Sequence, residues 1–339
     1  MQTQVFRVDD AREYQKAGPS DLIKLLPVPG SNPLFLPKAQ IEILVYAILN
    51  HEIVHLSGPT GSAKTSLIEA LHLVPGNFEA ICSALGHMPC PLRVYPIEMA
   101  TYEAPGELYQ RRALKNGTTF DEESGLVRAL TEAAGLDGKF HRLIWLREIG
   151  RVHSASVQGG LLDLVTKGDI TLPGGKRVNA RGVAWVADSN YQAESEATHT
   201  LVTLDDALKR RFTINLTLDY LSAEQETQVL LHLTGDTEAQ KAAQELVLHT
   251  VRLGQTISRQ KLEGNLQSVP PPTIYGYLAF LRMTRALPHL SLQQVAMSTL
   301  LGNASLEDQK QVAGVLNEVF GFQREQAEDS GDARRGLGR

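Results

Sequence analysis

The residues best suited to chemistry in this chain lie between positions 53 and 65. A short apolar stretch, Ile53 to Leu56, leads into Gly58-Pro59-Thr60-Gly61-Ser62-Ala63-Lys64-Thr65, and helix-forming residues follow at once. Glycines permit a tight turn that directs backbone N–H groups inward, and a helix that begins there adds its positive end. This strand–loop–helix pattern predicts a cradle for a polyphosphate.

Two side chains at the end of the loop would complete such a site. We expect Lys64 to reach the β- and γ-phosphates of a nucleotide, and the Thr65 hydroxyl to ligate Mg²⁺. The pattern departs from G-x-x-x-x-G-K-[ST] at Ala63, which stands where a second glycine is usual. We expect Ala63 to start the helix in the right-handed conformation, at no cost to the loop. The alternative is a Gly/Ser turn before an ordinary helix, and the Lys-Thr pair at the expected offset argues against it.

Three further groups of polar residues follow the loop along the chain and could take part in nucleotide hydrolysis. Glu148 ends an apolar stretch, where a carboxylate would activate an attacking water. Asn190 ends the next apolar stretch and could sense the γ-phosphate. Arg210 and Arg211 end a helical pattern, where one could act as a finger on a neighbouring protomer's phosphates. Alone, such residues are usually turn or surface residues, but their order behind the loop favours the functional interpretation.

His51-Glu52-Ile53-Val54-His55 also spells H-E-x-x-H, the signature of zinc peptidases. That motif requires a helix, on which its two histidines lie one turn apart on the same face. Here the segment must be extended in order to deliver the loop. On a strand the two histidines would lie about 13 Å apart, which is too far for one ion. We therefore expect no metal site at these histidines.

Composition narrows the class of protein. The 339 residues carry 33 Lys and Arg against 38 Asp and Glu, a net charge of −5, which disfavours nucleic acid as a partner. The two cysteines are too few for a disulfide framework. The N-terminus lacks a signal-peptide pattern, and no apolar run is long enough for a membrane span. A cytoplasmic protein is expected.

Strand-like and helical patterns alternate up to about residue 220 and are purely helical afterwards, which predicts an α/β domain followed by a helical one. We assign 1–37 as an N-terminal extension, a docking arm or loop. Residues 38–220 form the α/β nucleotide-binding domain, with a parallel sheet. A smaller all-helical lid domain covers 221–322, and 323–339 is a polar, disordered tail.

Four local predictions accompany this division. Residues 75–91 are interpreted as an insertion, and 105–135 as helical pieces around a turn at Gly117. The stretch 169–178 is predicted to be a hairpin. Thr203 is predicted to open a helix with a capping box.

Over residues 38–320 the chain resembles the AAA+ ATPases, and within them the MoxR branch that includes the Rubisco activase-like CbbQ proteins. The hairpin at 169–178 resembles the insertion that this branch carries before its sensor strand. The motifs that carry the resemblance, each followed by the branch's own letters, are 58–65 (G-P-P-G-T-A-K-T), 147–151 (D-E-I-N-R), 158–163 (Q-x-A-L-L-E), 187–190 (A-T-x-N) and 208–212 (L-x-D-R-F).

The resemblance implies a fold and a mode of action. The fold is a three-layer AAA+ domain with a helical lid, and the activity is hydrolysis of ATP with Mg²⁺. Such proteins assemble into rings, often hexamers, and remodel client proteins in the manner of chaperones. A frequent partner carries a von Willebrand factor A-type domain. The resemblance nominates Arg211 as the finger, with Arg210 beside it as the alternative.

Two departures from the branch limit this inference. Arg147 replaces the acidic residue expected to hold the water shell of Mg²⁺, so weaker hydrolysis is expected; Asp188, close by in this fold, is a hypothetical substitute. The lid segment from Pro271 to Tyr275 lacks the branch's arginine, and Arg282 lies too far along to replace it. Weaker closing of the lid on nucleotide is therefore expected.

Three functions remain open on the sequence alone. The favoured one is a remodelling ATPase of the MoxR type, with a site formed by Lys64, Thr65, Glu148, Asn190 and a neighbour's Arg211. The second is a nucleotide-binding structural or switch subunit with weak or no hydrolysis. The third is an AAA+ protein directed at nucleic acid, which the acidic balance disfavours.

Overall fold

The structure is a computed structural model. It describes residues 4–7, 11–18, 21–136, 138–172, 175–190, 204–235, 241–266, 268–269, 272–302 and 304–329.

The chain divides into two compact units. One contains the described residues between Phe6 and Tyr220, and the other contains those from Leu221 onward together with Gln4 and Val5. We call them the first unit and the helical unit.

The first unit alternates strands and helices. Single 3-10 turns at Met99–Thr101, Pro105–Leu108 and Ile149–Arg151 connect some of them. Its strands and helices in chain order are β1 (Val5–Arg7), α1 (Ala11–Lys16), β2 (Leu22–Leu25), β3 (Leu34–Pro37), α2 (Lys38–Leu49), β4 (Ile53–Gly58), α3 (Lys64–Leu73), α4 (Asn77–Ala84), β5 (Leu92–Glu98), β6 (Gln110–Lys115), β7 (Thr118–Glu123), α5 (Gly125–Gly135), β8 (His141–Arg147), α6 (Ala155–Lys167), β9 (Asp169–Thr171), β10 (Arg177–Asn179), β11 (Ala184–Asn190), α7 (Asp206–Lys209) and β12 (Ile214–Thr217).

A five-stranded parallel sheet in the order β12-β4-β11-β8-β5 forms the centre of this unit. Its inner strands β8 and β11 are largely buried on both faces, which is why they appear in the sequence as mostly apolar runs. In β8, Leu143 and Trp145 pack on the face that also carries α2 and α3, whereas Ile144 and Leu146 pack on the opposite face. The α/β fold with a parallel sheet, predicted from the sequence, is therefore confirmed.

The sequence predicts that residues 1–37 form a docking arm or loop, but the described residues from Phe6 to Pro37 are built into the first unit. Strands β2 and β3 pair antiparallel. Tyr14, Ile23, Leu25 and Leu36 are buried in the same core as the P-loop helix α3. The short, mostly apolar run Leu22–Leu25, with three of its four residues fully buried, is the signal that is consistent with a strand here.

The stretch 105–135, predicted as helical pieces, contains a β-hairpin instead. Strands β6 and β7 pair antiparallel around Asn116 and Gly117, and α5 follows. Asn116 has φ 52° and Gly117 φ 78°. Two successive positive φ angles are typical of a type I′ turn, and Asn-Gly is its preferred pair. The turn at Gly117 was correctly expected, but it joins strands.

The other local predictions have mixed outcomes. The interpreted insertion 75–91 contains α4, whose Phe78, Ile81 and Cys82 are buried in the core. The hairpin at 169–178 forms as β9 and β10, although Pro173 and Gly174 at its turn lie outside the described residues. Thr203 also lies outside them.

The cap of α7 is Asp205, not Thr203. The Asp205 carboxylate accepts hydrogen bonds from the backbone N–H groups of Ala207 and Leu208. The helix therefore begins two residues later than predicted.

The helical unit encloses a separate core of buried aliphatic and aromatic side chains. Ser222, Thr273 and Ser291 cap three of its helices with their hydroxyl groups. Its elements are α8 (Ala223–Thr234), α9 (Lys241–Leu262), α10 (Ile274–Ala286), α11 (Leu292–Ala296) with a π-helical turn at Met297–Leu301, and α12 (Leu306–Asp329).

Helix α12 includes the beginning of the stretch 323–339 that was predicted to be disordered, and 330–339 lie outside the described residues. The short helix α11 was not predicted. No helix in the described part of the chain is both long enough and apolar enough to cross a membrane.

Candidate nucleotide site

The predicted phosphate cradle lies at the carboxyl end of β4, between that strand and α3. Gly58 is the last residue of β4, and a Cβ atom built on it would lie 2.1 Å from the carbonyl oxygen of Leu218. Only glycine permits this close approach. Gly61 has φ +84°, a left-handed conformation that glycine adopts without strain. The two glycines therefore have different roles, one for packing and one for the turn.

Ala63 does not adopt the right-handed conformation that we expected. It precedes α3 with φ 68° and ψ 19°, in the left-handed region. There the Cβ atom crowds the following carbonyl oxygen, at a cost of about 1–2 kcal/mol. The loop keeps its path because its neighbours impose it, and Ala63 carries the strain.

Lys64 lies inside the loop rather than in solvent. Its side chain is buried, and its ammonium group donates to the carbonyl oxygens of Gly58 and Pro59, both at 2.8 Å. A weaker contact reaches the Ser62 hydroxyl at 3.4 Å. The positive charge is thus already held at the point where phosphate oxygens would enter the cradle.

Other residues of the loop complete its frame. Pro59 and Ser62 are buried, whereas Thr60 is exposed. The hydroxyl group of Tyr220 donates to the Thr60 carbonyl oxygen at 2.7 Å. Thr65 lies in the first turn of α3, where backbone N–H groups have no intrahelical partner and favour anions.

Asp188 lies on β11, beside Leu56 of β4 in the sheet register. Its carboxylate is buried and accepts the indole N–H of Trp145 at 2.6 Å. Burial raises the pKa of Asp188, while the Trp145 indole, the Glu148 backbone N–H and the Lys64 charge act in the opposite direction. A buried acid therefore lies within electrostatic reach of the lysine of the loop.

Arg147, the departure noted in the sequence, is directed toward β5. Its guanidinium group forms an ion pair with Glu98, its register partner on β5. It also stacks over the Trp145 ring, 4.8 Å from the ring centroid. The two contacts hold the positive charge on the side of β8 that faces away from β11 and β4.

Glu148 follows β8 in a left-handed conformation, with φ 51° and ψ 52°. A non-glycine residue in this region is strained, and such strain often occurs at functional positions. Its carboxylate is partly exposed and forms an ion pair with Arg151 at 3.1 Å. To act as a base on water, Glu148 would have to exchange this partner.

Asn190 ends β11 and is the register partner of Gly58, the first residue of the loop. The predicted sensor residue therefore lies on the strand next to the cradle. Lys64, Asp188, Glu148 and Asn190 follow or end β4, β11 and β8, which are neighbours in the sheet, and all lie at its carboxyl edge. Ligands of open α/β sheets bind outside that edge.

Arg210 and Arg211 are exposed and lie apart from this group. Arg211 precedes β12, which runs parallel to β4, with Ile214 opposite Val54. Gly58 lies a further four residues along β4, or about 13 Å. Both arginines therefore lie toward the amino-terminal edge of the sheet, away from the cradle of their own chain.

A buried polar residue fixes the helix that leads to these arginines. The side chain of Gln158, fully buried on α6, donates to the Ile149 carbonyl oxygen at 3.2 Å. Its own carbonyl oxygen accepts the backbone N–H of Asp205, the cap of α7, at 2.7 Å. Gln158 thus links the segment after Glu148 to the start of α7.

His55 confirms that the H-E-x-x-H sequence is not helical. It lies on β4, with its Nε2 atom 2.8 Å from the Ser189 hydroxyl and its ring against Phe212. Burial lowers the pKa of His55, which favours the neutral ring. No cluster of metal-ligating side chains is found in the described part of the chain.

The group as a whole fits a nucleoside triphosphate with a divalent cation. The glycine-framed cradle and Lys64 suit phosphate oxygens. The Thr65 hydroxyl would supply an oxygen ligand, which Mg²⁺ prefers, and the Asp188 carboxyl group lies on the neighbouring strand. Sequence reasoning missed the Arg147–Glu98 pair, the Glu148–Arg151 pair and the Tyr220 contact, because a motif identifies residues and not the partners that their side chains contact.

Comparison with known proteins gives only structural matches of low identity. No protein-family profile matches the chain, and no curated protein matches it. Among solved structures, a candidate ATPase from Cytophaga hutchinsonii aligns over 91% of this chain and 93% of its own, with 13% identity and a TM-score of 0.37. Two RuvB structures from Thermotoga maritima, one of a point mutant and one described as the Holliday junction branch migration motor, align over 88% of this chain.

For the two RuvB structures the identity is 14% in each case. The alignments cover 77% and 76% of the RuvB chains, with TM-scores of 0.41 and 0.40 respectively. Likeness at this level says nothing about the function of the chain, which depends on the site itself.

Proposed function

We propose that the protein is a MoxR-type AAA+ ATPase that binds and hydrolyses ATP in a ring and remodels a partner protein. The observation that carries the proposal is the buried Lys64 ammonium group inside a glycine-framed loop. Asp188, Glu148 and Asn190 lie at the ends of the adjacent strands. This arrangement combines charge, donors and a candidate base around one phosphate position.

Each residue has a separate role in this proposal. Lys64 exchanges its bonds to the Gly58 and Pro59 carbonyl oxygens for phosphate oxygens. The N–H groups of the first turn of α3 hold the phosphate chain, and the Thr65 hydroxyl would hold Mg²⁺. A bound Mg²⁺ would neutralise charge on the phosphate oxygens. Glu148 accepts a proton from the attacking water, and Asn190 contacts the terminal phosphate.

The position of the arginines supports assembly into a ring, which we take to be a hexamer. Arg210 and Arg211 lie at the opposite edge of the sheet from the cradle of their own chain. An arginine finger acting on phosphates must therefore come from a neighbouring protomer. We also propose a protein client, such as one with a von Willebrand factor A-type domain. Only the resemblance to the MoxR branch supports this part of the proposal.

A second candidate is a nucleotide-binding switch subunit that hydrolyses slowly. Two ion pairs favour it: Arg147 replaces an acid at the end of β8, and Arg151 occupies the carboxylate of Glu148. In such a protein, bound nucleotide would fix the conformation of the ring without rapid turnover. The two candidates share the binding site and differ in rate.

ATPase turnover, measured together with particle size, separates them. For the remodelling ATPase, Glu148→Gln lowers turnover by about 100-fold or more and leaves ATP binding intact, because only the base is lost. Glu318→Gln, an exposed change on α12, serves as the matched control. Turnover that is near background in the wild type and insensitive to Glu148→Gln would establish the switch subunit instead.

A further inference from the structure

We infer that Asp188, on β11, is the acidic residue that holds the water shell of Mg²⁺ in this site. Arg147, at the end of β8, cannot do so because its side chain is positively charged. The inference rests on the proposed function, because it assigns a residue to the same nucleotide site. Asp188 would act on the water shell of Mg²⁺ as a positioning residue.

The sheet places Asp188 close to the phosphate cradle. Strand β11 lies between β4 and β8, so Asp188 is one strand closer to the cradle than Arg147. Asp188 is the register partner of Leu56, which precedes Gly58 by two residues. On β11, Val186 packs in the core with Leu67 of α3. Asp188 lies two residues further along the strand, so its side chain is on the same face of the sheet as that of Val186. The Asp188 side chain therefore lies on the face of the sheet that α3 covers.

Donors and charges of the proposed site surround the buried Asp188 carboxyl group. Asp188 is the only buried Asp or Glu among the described residues of the first unit, with 4% of its surface exposed. Burial of an acid disfavours its charged form unless donors or cations compensate. Burial raises the pKa of Asp188 and the nearby Glu148 carboxylate adds to this, whereas the Trp145 indole, the Glu148 backbone N–H and the Lys64 charge lower the pKa. Asp188 is thus a buried carboxyl group held by defined donors on the same side of the sheet as the lysine.

The Asp188 carboxylate has the capacity to accept more hydrogen bonds. An ionised carboxylate has about four acceptor positions. The indole N–H of Trp145 and the backbone N–H of Glu148 fix its orientation and use two of them. The others remain suited to water molecules bound to a metal. Carboxylates that bond to the ligands of a metal in this way hold those ligands in place.

The contacts of Arg147 direct its charge away from the cradle. Its ion pair with Glu98 and its stacking on Trp145 direct the guanidinium group toward β5. Trp145 thus contacts both residues, with its ring under Arg147 and its N–H on Asp188. The Trp145 side chain therefore lies between the Arg147 guanidinium group and the Asp188 carboxyl group.

The test is the dependence of nucleotide binding on Mg²⁺, measured by calorimetry with a non-hydrolysable ATP analogue. Binding of Mn²⁺ in the same complex, followed by electron paramagnetic resonance, gives a readout independent of activity. The variants are Asp188→Asn and Asp188→Thr, the latter retaining a hydroxyl acceptor for Trp145. Asp121→Asn on the exposed hairpin is the matched control.

We expect Asp188→Asn and Asp188→Thr to require roughly 10- to 100-fold more Mg²⁺ for half-maximal enhancement of binding. Metal-free binding of the analogue should persist, and Asp121→Asn should match the wild type. The double variant Arg147→Asp/Asp188→Asn should regain most of the Mg²⁺ affinity, because it returns a carboxylate to β8.

Two results would overturn the inference, and they differ from a failure of the proposed function. A Mg²⁺ midpoint unchanged in both Asp188 variants would reduce Asp188 to a structural anchor of Trp145. A double variant no better than Asp188→Asn would show that positions 147 and 188 do not share a role. If the wild type bound no analogue with or without metal, the proposed nucleotide site itself would be wrong.

Discussion

At the scale of single residues, Ala63 shows how the loop stores strain next to its lysine. Its φ of 68° is imposed by the flanking strand and helix, and the residue cannot relax without moving Lys64. Strained residues near a ligand site are maintained when the surrounding structure determines their conformation. The position therefore offers a direct test of the loop geometry.

Replacement of Ala63 with glycine should stabilise the folded protein. Relief of the left-handed strain outweighs the added entropy of the unfolded chain, for a net gain of about 0.5–1 kcal/mol in the free energy of unfolding. Urea denaturation measures the change. Ala134→Gly, at an exposed position in the right-handed helix α5, should instead lose about 0.5–1 kcal/mol. A loss of stability in both variants would show that Ala63 is not strained.

Glu226 in the helical unit is a second residue whose environment has a measurable consequence. It is buried on α8, and its carboxylate accepts a long hydrogen bond of 3.4 Å from Gln255 of α9. Burial raises the pKa of Glu226 from 4.5 to about 7. In the unfolded chain the proton leaves near the ordinary value, so the contribution of Glu226 to stability is greatest below pH 4.5 and declines as the pH rises to about 7.

Glu226→Gln should remove this pH dependence. The gap between the two pKa values corresponds to about 3 kcal/mol, so the variant should be more stable than the wild type by up to that amount at about pH 8. At about pH 4 the two proteins should be nearly equal. Thermal unfolding at both pH values measures this, with the exposed Glu318→Gln as control. A variant less stable than the wild type at the higher pH would contradict the burial argument.

At the scale of elements, the hairpin β6–β7 depends on its turn. Most of its described side chains are exposed, Leu114 by 74% and Phe120 by 41%, so packing contributes little to its stability. The ion pair of Arg111 with Glu122 links the two strands. The left-handed residues Asn116 and Gly117 therefore set the register.

Gly117→Val should loosen the hairpin and leave the rest of the first unit intact. A β-branched residue at φ 78° is strongly strained, and a cost above about 1 kcal/mol is expected within this element. Hydrogen exchange should show faster exchange of the amides in 110–123 and unchanged exchange in β4 and β8. Thr118→Val, in the adjoining strand conformation, should leave exchange as in the wild type. Unchanged protection after Gly117→Val would refute this role of the turn.

The predictability of the elements follows from how locally each is determined. The central strands and the P-loop helix could be predicted because their apolar runs and the glycine-lysine pattern are local signals. The hairpin was mistaken for helix because Arg111, Arg112, Glu122 and Glu123 are good helix formers, although Asn-Gly indicated a turn. In this stretch the pairing of β6 with β7 outweighs the helix propensity of these residues.

The finer geometry of the site could not be predicted from the sequence. The left-handed conformation of Ala63 depends on the path of the entire loop. The Arg147–Glu98 pair joins residues that are distant in sequence and meet only through the register of β5 and β8. The Trp145 bond to Asp188 likewise requires the order of strands in the sheet.

At the scale of the whole molecule, each complete hydrolysis site requires two protomers under the proposed function. Lys64 and Glu148 come from one chain, and the arginine finger comes from the next. Lys64→Ala and Arg211→Ala should each reduce turnover by about 100-fold or more as homogeneous proteins. Mixing the two should restore part of the activity, because some interfaces then join an intact cradle to an intact finger.

The recovery should depend on which residues are combined. A mixture of Lys64→Ala with Glu148→Gln should recover less, since one chain still lacks the cradle lysine and the other the base, and no site in the mixture has both. ATPase assays on mixtures across a range of ratios measure this. Equal recovery in both mixtures would contradict assignment of the finger to a neighbouring protomer.

Binding of the phosphates of ATP by the loop from Gly58 to Thr65 is the claim on which every role assigned above depends. Titration calorimetry of the purified protein with ATP and Mg²⁺ tests it directly. We predict saturable binding by the wild type that is lost or weakened by at least about 10-fold in Lys64→Ala, with the matched surface variant Lys209→Ala unaffected. Absence of ATP binding by the wild type, or binding unchanged by Lys64→Ala, would contradict it.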